Sequence, residues 1–255
     1  MKSKTIIVTG ATKGMGFACS KRFLELDANV VMVYHSDITA AEHAEKDLFT
    51  YSNRILLLQA NITVAQDRKK IIDATLNKFN HIDVLVNNAG APSKCSFLNA
   101  TEEDFDFVID VNLKAPIFLA KLVAKQMIAQ GDGGSIINFS SVSGHRAMGG
   151  ISYDSAKAGI IRATQTMANS LGQYNIRVNS ISPGTHKTDM NRYHWENETE
   201  IYKNMLSVTA LKRAAEAKEI VGTVVYLAFS ESSYTTGTDI VVDGGFLSYC
   251  PGRGK

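Results

Sequence analysis

The stretch Thr5-Ile6-Ile7-Val8-Thr9-Gly10-Ala11-Thr12-Lys13-Gly14-Met15-Gly16, followed by an apolar-spaced segment from Phe17 to Leu26, decides the fold. The β-branched run reads as a strand, the glycines as a tight turn and the segment from Phe17 as a helix. Glycines at such a turn let the backbone approach a ligand closely, and a helix amino terminus presents unpaired N–H groups and the positive end of its dipole. That arrangement suits a pyrophosphate. The spacing Gly-x-x-x-Gly-x-Gly differs from the common dinucleotide fingerprint, so the strand-turn-helix context carries more weight than the pattern itself.

Outward from this turn, short apolar strands alternate with helix-length segments. Strands are predicted near 4–9, 29–34, 54–60, 83–87, 134–140, 175–182 and 238–242, and helices near 14–27, 39–52, 64–80, 101–130, 153–173 and 216–229. This order is the signature of crossover units. It predicts an α/β fold, a single doubly wound Rossmann-type domain over 1–255 with a central, mainly parallel seven-stranded sheet. Segment 184–212 is polar and irregular and follows the sixth strand. Because ligands bind beyond the carboxyl ends of strands in such sheets, it is read as a substrate lid.

Composition agrees with one large core: 255 residues, 45% hydrophobic, 20% charged and 19 glycines. A formal net charge of +2 is too small to make nucleic acid or an anionic membrane the principal partner. The three cysteines, Cys19, Cys95 and Cys250, form neither a metal-ligand pattern nor a disulfide framework, which fits a reducing cytoplasm. Met1-Lys2-Ser3-Lys4 is positive, but the apolar run after it is short and no long one occurs later. Neither a signal peptide nor a membrane span is expected.

The chemistry-bearing run is Ser140, Ser141, Tyr153 and Lys157. Apolar Ala156, Ile160 and Ala163 predict a helix from Tyr153, which places Tyr153 and Lys157 one turn apart on one face. A free phenol has a pKa of roughly 10 and is a poor base at neutral pH; a nearby ammonium is expected to pull it down toward the working range. A serine hydroxyl that hydrogen-bonds the substrate oxygen completes a proton-transfer set for moving hydride between a carbinol and a nicotinamide. Proton transfer of this kind contributes roughly 10²–10⁴-fold in rate. Tyr-x-x-x-Lys alone is a frequent coincidence, so the surrounding motifs decide its meaning.

Residues 9–16, Asn87-Asn88-Ala89-Gly90, Asn112, Ser141, Tyr153, Lys157, Pro183-Gly184 with Thr188, and Asp243-Gly244-Gly245 occur in an order and spacing that resemble the short-chain dehydrogenase/reductase family over nearly the whole chain. The resemblance implies that Tyr153 is the general acid/base and that Lys157 activates it and holds the nicotinamide ribose. It gives Ser141 the role of orienting the substrate oxygen, since Ser141-Val142-Ser143-Gly144 matches the family pattern, with Ser140 as the competitor. Asn112 would anchor a proton-relaying water. Cofactor contacts would come from Gly10, Thr12, Lys13, Gly14, Met15 and Gly16 in the turn, from Tyr34, His35 and Ser36, and from Asn61 and Ile62. Asn88, Ala89 and Gly90 would border the adenine ribose, with Asn88 serving mainly the architecture. Pro183, Gly184, His186 and Thr188 would fix the nicotinamide carboxamide, His186 through its backbone. No metal is expected. Relatives commonly form homotetramers, for which 101–130 and 153–173 would supply contacts.

Enzymes that choose NAD usually carry an acidic residue at the end of the second strand. Here Tyr34 occupies that position and Lys13 lies in the glycine turn, so NADP(H) is the expected cofactor. Asp37 keeps NAD(H) open if the strand ends later. The lid residues His186, Lys187, Asn191, Arg192, Tyr193, His194 and Trp195 predict a small polar substrate, a sugar, polyol or hydroxy acid, with Arg146 beside His145 and Lys94 adding positive charge at the rim. Gly244-Gly245-Phe246 through Pro251-Gly252-Arg253-Gly254 is similar to the tails of glucose-dehydrogenase-type members. Reduction of 3-oxoacyl thioesters is the alternative substrate class. A cofactor-binding sensor or scaffold is the non-enzyme alternative, against which the intact serine, tyrosine and lysine argue. Trp195, the sole tryptophan, either stacks on a substrate ring or pins the lid.

Overall fold

The computed structural model describes residues 4–93 and 95–250. Lys94 and the tail from Pro251 to Gly254, both invoked above for substrate choice, lie outside the described residues. Strand β1 (Thr5–Thr9) forms at the β-branched run and is buried throughout. Ile6 and Val8 enter one core with Phe23 and Val224, whereas Ile7 enters another with Ile71, Leu85 and Leu119. Burial on both faces is what a parallel sheet covered by helices on each side demands.

Along the chain follow α1 (Gly14–Glu25), β2 (Asn29–Tyr34), α2 (Ile38–Asp47), β3 (Ile55–Gln59), α3 (Ala65–Phe79), β4 (Val84–Asn87), α4 (Glu102–Ile109), α5 (Ala115–Gln130), β5 (Gly134–Phe139), α6 (Ile151–Leu171) and β6 (Ile176–Pro183). Then come β7 (His186–Lys187), α7 (Arg192–Glu196), α8 (Glu200–Ser207), β8 (Ala215–Glu216), α9 (Val221–Ala228) and β9 (Asp239–Val242). The central sheet has seven strands in the order β3-β2-β1-β4-β5-β6-β9. All its pairings are parallel. Helices α1, α2 and α9 cover one face through Phe23, Ala44 and Val224, and α3, α5 and α6 cover the other through Ile71, Leu119 and Ala168. Strand order reverses between β1 and β4, and the crevice beyond their carboxyl ends is where a doubly wound sheet binds its ligand.

Three expectations change. The helix predicted over 101–130 is interrupted by a π-helical turn at Asp110–Lys114. Pro116 has no N–H to close an α-helical bond onto the Asn112 carbonyl, which favours the wider turn. The helix predicted over 39–52 stops at Asp47 and continues as a 3₁₀ turn, Phe49–Arg54. Segment 184–212 is not irregular: it carries β7, α7 and α8, and β7 pairs with β8 in a second, two-stranded sheet. Thr199 caps α8 by accepting the Tyr202 N–H, and Thr188 and Asn191 form a capping box before α7. No helix among the described residues is long and apolar enough to cross a membrane.

Candidate active site

Two adjoining cavities open at the carboxyl ends of the strands. The first, about 420 Å³, is lined by Gly10, 12–15, 33–37, 60–63 and 88–91, with Tyr153, Lys157 and Thr188 at one end. The second, about 340 Å³, is lined by Ser141, Tyr153, Asp154, 183–186 and, from the segment 184–212, Met190, Asn191 and Met205. Both volumes are in the range of ligand and cofactor sites. Met15, Ser140, Tyr153, Thr188 and Met190 line both, so the phenol stands where the cavities meet.

The glycine turn is built to let backbone come close. Gly10 and Gly14 have φ of +63° and +55°. A Cβ on Gly16 would lie 2.2 Å from the Gly10 carbonyl oxygen and 2.5 Å from Asn88 Nδ2, so Gly16 backs the cradle and does not line it. Asn88 Nδ2 donates to the carbonyls of Thr9 and Gly10, and Thr9 Oγ1 accepts from the N–H groups of Asn88 and Ala89. These bonds tie the end of β1 to the end of β4. At the start of α1, Lys13 supplies no side-chain cap and the first turn has no acidic residue. The amides there are left for an anion, which fits a dinucleotide pyrophosphate.

Of the expected cofactor residues, Thr12, Lys13, Met15, Tyr34, His35, Ser36, Asn61, Ile62, Ala89 and Gly90 also line the first cavity, whereas Pro183, Gly184 and His186 line the second. Asn61 is held by its N–H to Asp67 and its Oδ1 to Thr63, and Ile62 is buried. Burial lowers the His186 pKa; its Nδ1 lies 3.1 Å from the Gly184 carbonyl and its Nε2 is buried with no partner among the described residues. No group of side chains among the described residues could hold a metal ion. Lining residues that sequence reasoning missed include Phe107 and Val111, one helical turn apart, and Asp154, immediately after the phenol.

The two serines separate cleanly. Ser140 Oγ donates to the Lys157 carbonyl at 2.7 Å and is buried, tying β5 to α6. Ser141 Oγ accepts the Ser143 N–H at 3.1 Å and stands beside the Tyr153 phenol, whose ionised form it favours. Lys157 is 4% exposed; its Nζ donates to the Phe139 carbonyl at 2.8 Å and lies 5.4 Å from the Tyr153 ring centroid. The expectation that this ammonium pulls the phenol down is not met by the protein's own groups. Burial pushes Tyr153 up to about 12, against the lowering effect of the Ser141 hydroxyl and with a further rise from the Asp154 charge. Burial also lowers Lys157 to about 8. Desolvation dominates at both groups, and the ammonium is directed at the Phe139 carbonyl.

Asn112 is buried in the π-helical turn, with Nδ2 donating to the carbonyls of Ala91 and Val108 and Oδ1 accepting the Ala91 N–H. Its side chain therefore holds the strand-end loop, and a Cβ on Gly90 would meet Asn112 Oδ1 at 2.8 Å. In the segment 184–212, Trp195 Nε1 donates to the Thr188 carbonyl at 3.1 Å, which pins α7 to the turn before it, and the ring lines neither cavity. Lys187 pairs with Glu216 at 3.1 Å, Arg192 with Asp189, and Arg146 lies over the Phe246 ring at 5.2 Å. None of these cations lines either cavity, so the expected positive rim is not formed by them.

A family profile described as enoyl-(acyl carrier protein) reductase matches residues 10–247. An NADP-dependent mannitol dehydrogenase of Hypocrea jecorina is 34% identical over 254 residues, covering 97% of this chain and 94% of its own length. A 3-oxoacyl-[acyl-carrier-protein] reductase of Synechocystis is 34% identical over 251 residues, covering 98% and 99%. The crystal structure of a short-chain type dehydrogenase/reductase from Mycobacterium marinum superposes with a TM-score of 0.89 at 30% identity, covering 98% of this chain and 97% of that one. The chain belongs to the short-chain dehydrogenase/reductase family. It is an oxidoreductase, of a family that uses NAD(P)(H) and acts on small molecules.

Proposed function

We propose that this protein is an NADP(H)-dependent dehydrogenase/reductase that interconverts a carbonyl and an alcohol on a small polar substrate such as a sugar, polyol or hydroxy compound. The observation that carries this reading is the phenol of Tyr153 at the junction of the two cavities, with Ser141 beside it on the second and Lys157 behind it on the first. The glycine turn, Tyr34 to Ser36, Asn61, Ile62 and 88–90 hold the dinucleotide, and Pro183, Gly184, His186 and Thr188 hold its nicotinamide end. Bound there, the nicotinamide supplies or accepts the hydride.

The chain's own groups manage the proton. In reduction Tyr153 Oη gives its proton to the substrate carbonyl oxygen while Ser141 Oγ hydrogen-bonds that same oxygen; in oxidation both act in reverse. Lys157 keeps positive charge near the ring and so favours the phenolate that exists after the proton has left. Asn112, whose carbonyl lacks an N–H from Pro116, anchors the water through which the proton is replaced. Lys13 supports the choice of NADP, as the cation at the end of the cavity that Tyr34, His35 and Ser36 also line. Exposed Phe105, Phe118 and Ile128 on α4 and α5 support a homotetramer built on these helices.

The test is an absorbance assay with NADP(H) and NAD(H) over alditols, sugars, hydroxyketones and acetoacetyl thioesters, run beside Tyr153→Phe. Turnover of a polyol, sugar or hydroxyketone that vanishes in the folded variant is expected. Efficient turnover of thioesters alone would replace this reading with 3-oxoacyl reduction.

A further inference from the structure

Among the described lining residues of the second cavity, Asp154 is the only one with a charged side chain. The rest of the wall is uncharged: Met15, Met148, Met190 and Met205 share it with hydroxyl side chains, the Asn191 amide and His186, whose pKa burial lowers. Asp154 Oδ2 accepts the N–H groups of Met148 at 2.8 Å and Gly149 at 3.1 Å, while Oδ1 is buried with no partner among the described residues. The nearby cations are engaged elsewhere, Lys187 with Glu216, Arg192 with Asp189 and Arg146 on the Phe246 ring. The carboxylate is thus uncompensated by any ion pair among the described residues and stands next to the reacting phenol in sequence.

We propose that Asp154 makes this pocket select uncharged polar substrates, alditols, sugars and hydroxyketones, over substrates that carry a carboxylate. The inference rests on the oxidoreductase function proposed above and narrows its substrate class by charge. Two unit charges about 7 Å apart, at effective dielectric constants from about 20 to 80, repel by an amount equal to roughly 3- to 50-fold in an equilibrium constant. A wall of weakly polar thioethers screens less than water does. Of the small polar substrates that the segment 184–212 suggests from sequence, a hydroxy acid needs a cation that Lys187, Arg192 and Arg146 do not supply. The same charge acts on the chemistry, because Asp154 raises the Tyr153 phenol beyond what burial does. Among the described residues, the other titratable groups around that phenol are Lys157 on α6, His186 on β7, and Asp104 on α4, whose carboxylate accepts Ser93 and Ser152.

The test compares a six-carbon alditol with the aldonate of the same chain, in the wild type, Asp154→Asn and Met148→Lys. Asn keeps an amide oxygen to accept the Met148 and Gly149 N–H groups, so the wall is retained while the charge is removed. Met148 is 38% exposed, so a lysine there adds compensating charge without disturbing a core. The wild type is expected to favour the alditol in kcat/KM, and each variant to narrow that preference by roughly tenfold. Asp154→Asn is also expected to move the alkaline limb of the pH profile downward, a shift that a merely structural role would not produce. A wild type that favours the aldonate, or a preference unchanged in Asp154→Asn with normal NADPH binding, would overturn the proposal. If the wild type turns over neither compound, it is the broader reading that fails on polyols; the charge preference is then read from dissociation constants of the pair for the NADPH complex by nucleotide fluorescence, and equal constants would overturn it.

Discussion

Lys13 Nζ lies 2.8 Å from Asp37 Oδ2, so an ion pair joins the glycine turn to the residue that caps α2. Asp37 Oδ1 meanwhile accepts the Ala40 N–H at 3.0 Å. Both carboxylate oxygens are therefore engaged by the protein, and the Lys13 hydrogen bond is the first cause that holds the Asp37 carboxyl below its usual range. A ribose would have to displace Lys13 to claim Asp37, whereas a 2′-phosphate can recruit Lys13 directly. Lys13→Ala is expected to weaken NADPH binding by about tenfold or more, in line with a charge-assisted hydrogen bond, and to leave NADH nearly unchanged. Asp37→Asn keeps a good helix cap and frees Lys13, so NADPH should bind at least as tightly as before. Fluorescence titration of both nucleotides checks this; a lower dissociation constant for NADH in the wild type would reverse the assignment.

The contrast between Ser140 and Ser141 yields a second expectation. Ser140 Oγ reaches the Lys157 carbonyl inside the protein, and Ser141 Oγ stands beside the phenol at the cavity junction. Ser141→Ala should lower kcat with little change in melting temperature. Ser140→Ala should cost stability of about 1–2 kcal/mol, the range for losing a buried hydrogen bond, with a smaller effect on kcat. Tyr153→Phe should lose roughly 10²–10⁴-fold in turnover and still bind NADPH. Steady-state kinetics beside thermal melts separate the three variants, and a Ser140→Ala more damaging to kcat than Ser141→Ala would exchange their roles.

Much of this is legible in the sequence. The alternation of Ile6, Ile7 and Val8 between two cores follows from a period of two, and the one-turn spacing of Tyr153 and Lys157 follows from a helix. Asn112 was legible as a motif residue but its π-helical turn was not, although Pro116 four residues on was a usable signal. The lid helices were hidden because α7 and α8 have only 5 and 8 residues and depend on caps at Thr188 and Thr199 more than on a long apolar stripe. The neutralised lid was also hidden: Lys187 meets Glu216 through pairing of β7 with β8, a contact between distant parts of the chain. The phenol's upward shift could not be read from spacing, since it depends on how deeply packing buries Tyr153 and on Lys157 facing Phe139.

Two glycines make a third, paired expectation. A Cβ on Gly16 would press on the Gly10 carbonyl and the Asn88 amide, the groups that shape the cradle. Gly16→Ala should destabilise by about 1–3 kcal/mol or more, as overpacking does, and weaken NADPH binding because the turn must move. At Gly172, which has φ of −57° at the end of α6, a Cβ meets nothing within 4 Å. Gly172→Ala should be neutral or stabilising by about 0.4–1 kcal/mol through a less flexible unfolded chain. Melting temperatures with and without NADPH provide the check, and equal responses of the two variants would contradict it.

Lys157 sets the last expectation, a rise of stability with pH in the nucleotide-free protein. Burial lowers its pKa from 10.5 to about 8. Below about 8 both folded and unfolded chains hold the proton, and the folded state bears the full cost of a buried ammonium. Between about 8 and 10.5 the unfolded chain binds more protons than the folded one, so unfolding free energy increases with pH. Tyr153 and Cys19 act in the opposite sense at higher pH. Their folded values are raised to about 12 from 10 and 9, so the stability they contribute is full below the unfolded values and is lost as pH climbs toward 12. Between pH 8 and 9 Lys157 contributes about 1 kcal/mol, and because Cys19 already begins to act there in the opposite sense, a variant that keeps Cys19 and Tyr153 is needed to isolate Lys157. Lys157→Met replaces the buried ammonium with a thioether of similar length. It should be more stable than the wild type at pH 7, and the gap should narrow by about 1.4 kcal/mol by pH 9. Urea unfolding of both proteins at the two pH values measures this, and curves that stay parallel would show that Lys157 keeps an ordinary pKa despite its burial.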